Sequence, residues 1–274
     1  MIHPISATTC TDAWLKAVNL LQDRSEQLAY NIILDIEHAT TITPQDRSII
    51  SAVDNFLQGH GSQPITTVAA TIFPASYYRG RGRAGVFEGF PKVYPKIKEA
   101  NSWGTYAGRM LIRVDKNGNT FNPLERIITK LLQQTRRRNA LRAVYELGML
   151  DIFADIPLYD PATDTRLTLN QPCLSHLSFK LRHDHSLMLT ALYRSHYYIE
   201  RALGNFIGLS QLLLFVATEA NLTPANLVIH SSYARIDYDG GWNKRAVRNL
   251  LSECNAIADQ HRTTPDEPAR IRCS

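Results

Sequence analysis

The chain has 274 residues, 44 % of them apolar and 20 % charged, which excludes a disordered or collagen-like polymer and allows one substantial core. Thirty Lys and Arg against 25 Asp and Glu give a formal charge of +5 and a pI of about 9.0. That excess suits an anionic partner and is equally the charge of an ordinary solvated surface.

Trp14, Ala17, Leu20 and Leu21 recur at helical spacing and predict a helix over Ala13–Leu21. Leu28–Glu37 (LAYNIILDIE) alternates as a strand entering the core. Thr43-Pro44-Gln45-Asp46 is a helix start: Thr43 caps, Pro44 takes the first helical position, and Asp46 at the third can reach back to the cap. That helix is expected to run to Gln58 and stop at Gly59. The β-branched run Ile65–Phe73 (ITTVAATIF) predicts a strand, and Tyr78–Gly89, where Arg79, Arg81 and Arg83 alternate with Gly80 and Gly82, predicts a flexible basic loop. Pro123–Arg137 predicts an amphipathic helix with Leu124, Ile127, Ile128, Leu131 and Leu132 on one face. The run Arg136-Arg137-Arg138 then places positive charge at its C-terminus. Strands are expected over Leu141–Leu147, Leu174–Leu181 and Leu187–Leu192, a buried helix over Ile207–Glu219, a strand over Leu227–Ile236 and a helix over Lys244–Gln260. Residues 262–274 read as a loose polar tail, and with no repeat or linker the expectation is one domain over 1–274.

Asp12 and Lys16 interrupt any N-terminal apolar stretch, so no signal peptide is expected. The longest apolar run, Leu212–Thr218, is too short to span a bilayer. Cys10, Cys173, Cys254 and Cys273 have no close spacing, which argues against a metal motif and a disulfide framework. A cytoplasmic chain with reduced cysteines and no membrane partner is the expectation. His176, His183, His185, His196 and His230 lack zinc-site spacing, so no metal is expected. The Arg79–Arg83 segment could close over a phosphate or lend some nucleic-acid affinity, and nucleic acid is not the expected partner.

Pro172-Cys173 precedes a predicted strand and is followed, 21 residues after the cysteine, by Arg194-Ser195 and then by Asn205. A cysteine attacks as its thiolate and needs a nearby cation, which Arg194 supplies if a turn at His183-Asp184-His185-Ser186 pairs the two strands. The bland reading is a buried strand cysteine. An adjacent guanidinium and hydroxyl make a phosphate site, and the amide of Asn205 complements O4 and N3–H of uracil. Alternatively Asn205, after Gly204, shapes a turn before a helix.

Together these residues resemble the thymidylate synthase family, which carries Pro-Cys at its nucleophile, a phenylalanine-containing strand, a Leu-Tyr-x-Arg-Ser stretch and an asparagine eleven residues after the arginine. The corresponding pieces are Pro172-Cys173, Ser178-Phe179-Lys180-Leu181, Leu192-Tyr193-Arg194-Ser195 and Asn205. Thr105-Tyr106-Ala107-Gly108-Arg109-Met110 is similar to the family's Tyr-Gly-x-Arg segment, and Ile229–Ile236 to its late strand. The resemblance runs from Trp103 to Asp237, about half the chain, with residues 1–100 a divergent N-terminal part.

The resemblance implies an α+β fold, a mixed β-sheet packed with long helices in a single thymidylate synthase-like domain. It implies an enzyme, a methylase or hydroxymethylase acting at C5 of a pyrimidine nucleotide, with 5,10-methylenetetrahydrofolate as cofactor and a homodimer as assembly. Cys173 would add to C6 of the base, Tyr106 would join the hydrogen bonds beside it, Arg194 and Ser195 would hold the phosphate, and Asn205 would read the base. Arg142 matches the second of two arginines that the family lends to the partner's phosphate site, whereas Leu141 stands where the first should be and Arg138 is a candidate substitute. The family's aspartate three residues after the arginine is here Tyr197, and its sugar-contacting histidine and tyrosine are Arg235 and Asp237, which makes those two the sugar-contact candidates. Ala52 occupies the position of the carboxylate that assists one-carbon transfer, and Ala269–Ser274 does not resemble the segment that closes over folate. The alternative is a nucleotide-binding or regulatory protein without folate-dependent turnover.

Overall fold

The computed structural model describes residues 2–100, 104–150 and 172–261. Its centre is a mixed sheet in the order β1-β2-β9-β7-β6-β5, formed by β1 (His3–Ala7), β2 (Leu28–Ile36), β9 (Thr223–Arg235), β7 (Ser186–Tyr193), β6 (Leu174–Leu181) and β5 (Tyr145–Gly148). The short β8 (His196–Tyr197) pairs with the end of β9. β1 runs parallel to β2 and β9 parallel to β7, while β2–β9, β7–β6 and β6–β5 are antiparallel. The architecture is therefore mixed α+β, as expected.

Helices cover one face of this sheet. α1 (Cys10–Gln22), α2 (Pro44–Gly59), α3 (Ile65–Ile72), α8 (Ala202–Glu219) and α9 (Lys244–His261) pack around one continuous hydrophobic core. α8 is long and apolar enough to cross a bilayer, yet it is 72 % buried within the fold and serves as the core helix. Alternating residues of the strands, such as Leu177, Phe179, Leu189, Ala191, Leu227 and Ile229, point into this core, as a period of two requires. The opposite face carries Ile33, Met188, Leu192 and Val228, all half-buried.

The remaining elements flank the core. They are α4 (Ala75–Ala84), a π turn at Gly85–Gly89, α5 (Phe90–Ala100), α6 (Tyr106–Leu111), a two-stranded ladder of β3 (Arg113–Val114) and β4 (Thr120–Phe121), and α7 (Pro123–Thr135). The cap at Thr43 forms as its sequence dictates: Thr43 Oγ1 accepts from the Asp46 amide at 3.1 Å while Asp46 accepts from the Thr43 amide at 2.6 Å.

Several expectations are corrected. Ile65–Ile72 is the helix α3, with Ile65, Val68, Ala69 and Ile72 buried at helical spacing. The cause is tertiary: Gly204 and Gly208 of α8 lack a Cβ where one would meet Val68 Cβ at 2.6 Å and Ala69 O at 2.7 Å, so α3 lies unusually close. Tyr78–Gly89 is helical with a break at Arg81 and Gly82, the latter at φ +57°, which glycine alone takes cheaply. Arg83 in that segment is tied to Glu125 at 3.1 Å and Glu219 at 3.4 Å, which holds the segment to α7 and α8. The strand expected over Leu141–Leu147 is ordered as β5 only at Tyr145–Gly148. α8 begins five residues before Ile207, and β9 begins at Thr223. Trp103, Cys273 and the tail 262–274 lie outside the described residues.

Candidate active site

The β6–β7 hairpin brings Pro172-Cys173 and Arg194 together. Asp184 accepts from the Ser186 amide at 3.1 Å and its hydroxyl at 2.6 Å, and His185 takes φ +59°, which closes the turn. At the other end Leu174 faces Tyr193, the Arg194 amide donates to Cys173 O at 2.9 Å, and Arg194 Nε donates to Pro172 O at 3.2 Å. A separation of 21 residues thus becomes adjacent backbone, by pairing that the two alternating strands impose.

Cys173 is partly buried, and burial raises its thiol pKa; the Arg194 guanidinium and then that of Arg201 act in the opposite direction. Arg201 was not singled out by the sequence. It sits one residue before α8 and pairs with Glu200 at 3.0 Å. It lies one turn before Asn205, a relation visible only once the helix is known to begin at Ala202.

Tyr106 opens α6, whose cap Thr105 accepts from the Gly108 amide at 3.1 Å. Its hydroxyl oxygen accepts the backbone amides of Cys173 at 3.0 Å and Leu174 at 3.2 Å, so it fixes the chain at the thiol. Burial pushes its pKa up to about 12, with the neighbouring Cys173 adding to the rise, so the phenol stays protonated. Tyr193, one residue before Arg194, is fully buried, its hydroxyl has no hydrogen-bond partner among the described residues, and its ring stacks on His196 at 3.9 Å and 10°. The family's stretch has one residue between that tyrosine and the arginine, and this chain has none.

Ser195 follows Arg194 and is half-buried. The segment from Arg194 into α8 is anchored at two points. Trp14 Nε1 of α1 donates to Tyr198 O at 2.6 Å, and the Asp237 carboxylate accepts from the amides of Ile199 at 2.8 Å and Glu200 at 3.1 Å. Asn205 lies inside the first turns of α8, not in a turn before it, and its Nδ2 donates to His196 Nε2 at 3.0 Å.

Asp237 is fully buried by its role as an anchor, and burial lifts its carboxyl to about 6 against the pull of those amides. Arg235 lays its guanidinium 4.4 Å over the Tyr197 ring and pairs with Asp239 at 2.6 Å. Arg142 is not brought to Cys173 within the chain. Its Nη1 donates to Leu181 O at 3.4 Å, at the far end of β6, which is about 23 Å from Leu174 at the rise of an extended strand. There it lines a cleft of about 320 Å³ with Arg136, Arg137, Arg138, Arg182 and His183, so Arg138 does accompany Arg142. Ala52 is a buried methyl in α2.

No family model matches the chain. Three curated archaeal proteins do, each named "Putative thymidylate synthase". That of Methanococcoides burtonii is 38 % identical over 84 residues, covering 31 % of this chain and 37 % of that protein. Those of Methanosarcina barkeri and Methanosarcina mazei are 35 % and 34 % identical over 95 residues, covering 35 % of this chain and 42 % of each relative. The chain thus spans about two-fifths of the length of the relatives it matches. These similarities support a divergent thymidylate synthase-like family.

Proposed function

We propose, from the likeness to that family together with the geometry at Cys173, that the protein is a C5 one-carbon transferase of a pyrimidine nucleotide, a methylase or hydroxymethylase. The observation that carries the reading is a partly buried thiol whose backbone is gripped by Arg194, through Pro172 O and Cys173 O, and by the Tyr106 hydroxyl at its amide. In this reading Arg194 and Ser195 bind the nucleotide phosphate, and Arg194 and Arg201 favour the thiolate. Cys173 Sγ forms a bond to C6, and the electron pair of the C5–C6 bond moves toward C5 and O4. The second N–H of Asn205 donates to O4, where that charge gathers. C5 then bonds to the one-carbon electrophile, a base takes the C5 proton, and the carrier leaves with its bonding pair to give an exocyclic methylene. Water added there gives the hydroxymethyl product, and a hydride donor gives the methyl product. The enolate so formed expels Cys173 as thiolate and restores the double bond. The chemistry needs a reduced thiol, in keeping with a cytoplasmic location and with 1–274 acting as one domain.

5,10-Methylenetetrahydrofolate is the donor the family implies, supplying the one-carbon unit at its oxidation level when bound. Ala52, which the resemblance sets at the position of the assisting carboxylate, is a buried methyl and supplies no acid or base there. A homodimer is proposed on the open face of the sheet, where Ile33, Met188, Leu192 and Val228 are half-buried in the single chain. Arg142 would then serve a partner's phosphate site.

Release of tritium from 5-tritiated deoxyuridine and uridine monophosphates, with and without 5,10-methylenetetrahydrofolate, tests the reading. Release by wild type and none by Cys173→Ala is expected. No release from either nucleotide under any condition would sink it. The second reading, a nucleotide-binding protein without turnover, is favoured by Ala52 and by the engagement of Asp237 with backbone amides. It predicts nucleotide affinity that survives Cys173→Ala.

A further inference from the structure

A gathering of positive charge lies at the far end of β6 from Cys173. Arg136, Arg137 and Arg138 reach it from the end of α7, and Arg182, His183 and His185 from the β6–β7 turn; all line the cleft of about 320 Å³. Among the described residues Arg136, Arg137 and Arg138 form no ion pair, and Arg182 has one carboxylate partner, Asp184 at 3.7 Å. The carbonyl end of α7 attracts cations, but that pull fades beyond the last turn and leaves Arg182, on another element, unexplained. Nor are these segments free to separate. Buried Gln134 accepts through Oε1 from the Leu141 amide at 2.9 Å, and Tyr145 Oη donates to Leu141 O at 2.6 Å. The Arg137 amide donates to Gln134 O at 3.0 Å, the Leu181 amide to Arg142 O at 3.1 Å and the Arg182 amide to Ser186 O at 2.9 Å. A fixed backbone thus holds like charges together, and a cleft lined by one sign of charge concentrates anions.

We propose that this cleft binds a short chain of linked phosphates through Arg136, Arg137, Arg138 and Arg182. The proposal does not rest on the chemistry at Cys173, because the length of β6 separates the two places. Charge decides the length of the chain. Four guanidiniums and the Asp184 carboxylate sum to +3, with Arg142 left out because the dimer reading gives it to a partner. One phosphate monoester brings about −2 and leaves the cleft positive, whereas a chain of three phosphates brings about twice that. A guanidinium is a planar fork that grips two oxygens of one phosphate, so arginines side by side suit phosphates in series. At about 320 Å³ the cleft is at the small end of ligand sites, about 300–1,000 Å³, which favours a short phosphate chain over a nucleic-acid strand. Inorganic tripolyphosphate and the tail of a nucleoside triphosphate offer the same chemistry.

Calorimetry on the full chain measures the affinities of orthophosphate, inorganic tripolyphosphate and deoxyuridine triphosphate. Both triphosphates are expected to bind at least about tenfold more tightly than orthophosphate, and Arg137→Gln and Arg182→Gln each to lose at least about tenfold of that affinity. Arg79→Gln removes the same charge from an exposed position outside the cleft and should bind as wild type does. Two outcomes support the proposal and identify the source. Arginine-dependent binding that is tighter for the nucleotide marks a nucleoside-borne chain, and binding as tight or tighter for tripolyphosphate marks a free one. Orthophosphate binding as tightly as tripolyphosphate, or cleft variants no weaker than Arg79→Gln, overturns the proposal. So does a short oligothymidylate that outbinds both triphosphates with the same arginine dependence, which would make the cleft a nucleic-acid surface. Should a variant not fold, phenylglyoxal modification of wild type decides the matter alone. Tripolyphosphate must then protect Arg137 and Arg182 but not Arg79 in peptide mass mapping, and equal labelling with and without it overturns the site.

Discussion

At the thiol, burial and charge pull in opposite directions. Removing Arg194 or Arg201 leaves burial less opposed, so the Cys173 pKa climbs and less thiolate is present near neutral pH. Alkylation by iodoacetamide at pH 8 is expected to slow by about three- to tenfold in Arg201→Ala. Peptide mass mapping separates the Cys173 adduct from that of Cys273. Cys10 and Cys254 are buried with pKa values raised chiefly by burial, and should label last. Equal rates in wild type and both arginine variants would show that the guanidiniums do not tune the thiol.

Asp237 makes a second residue-level prediction, with a definite sign. Its folded pKa of about 6 lies above the usual carboxylate value, so the protonated form is the better fit to the fold. Its contribution to stability is complete below about pH 4 and is lost as pH rises through 6. Asp237→Asn stays neutral throughout and carries a constant penalty for one weakened contact with the amides of Ile199 and Glu200. Urea unfolding should therefore show the variant gaining on wild type by roughly 2 kcal/mol between pH 4 and pH 7. Parallel pH curves for the two proteins would contradict the assignment.

Among the elements, those set by local chemistry were legible in the sequence. Thr43-Pro44-Gln45-Asp46 specifies its helix start through groups within four residues, and Leu174–Leu181 specifies β6 by alternation alone. Ile65–Ile72 was not legible, because its β-branched residues are ordinary strand formers and the deciding groups are two missing side chains on α8, some 140 residues on. The same contact yields a test. A methyl at Gly208 would approach Ala69 O to 2.7 Å and Ile72 Cβ to 2.9 Å, and backbone cannot step aside as a flexible side chain would. Gly208→Ala should cost about 1–3 kcal/mol in denaturant unfolding. Gly59→Ala, whose added methyl meets nothing within 4 Å, should stay near wild type and serves as the control. Equal stabilities would mean that α3 and α8 are not packed so closely.

Across the whole molecule, the candidate site divides into groups that one chain gathers and one group that it does not. The pairing of Cys173 with Arg194 was legible because one hairpin connects them, whereas Tyr106, 67 residues before Cys173, was singled out only by the family resemblance. The neighbourhood of Arg201 and the contacts of His196 were not legible, since the first depends on where α8 begins and the second on Asn205 within α8 and on Ser231, 35 residues from His196. Arg142 is separated from Cys173 by the length of β6, and no bending of a paired strand inside a sheet closes that distance. If Arg142 acts on phosphate at all, it acts on a second chain, and a two-fold dimer would place each arginine at the other's site. Mixed inactive variants test this directly. Cys173→Ala and Arg142→Ala should each lose tritium release alone, while an unfolded and refolded equimolar mixture forms heterodimers in which one of the two sites has both residues intact. Random pairing then restores about a quarter of wild-type activity. A mixture as inactive as its parts would place Arg142 outside the site, whereas Arg142→Ala with full activity on its own would remove the need for a partner's arginine altogether.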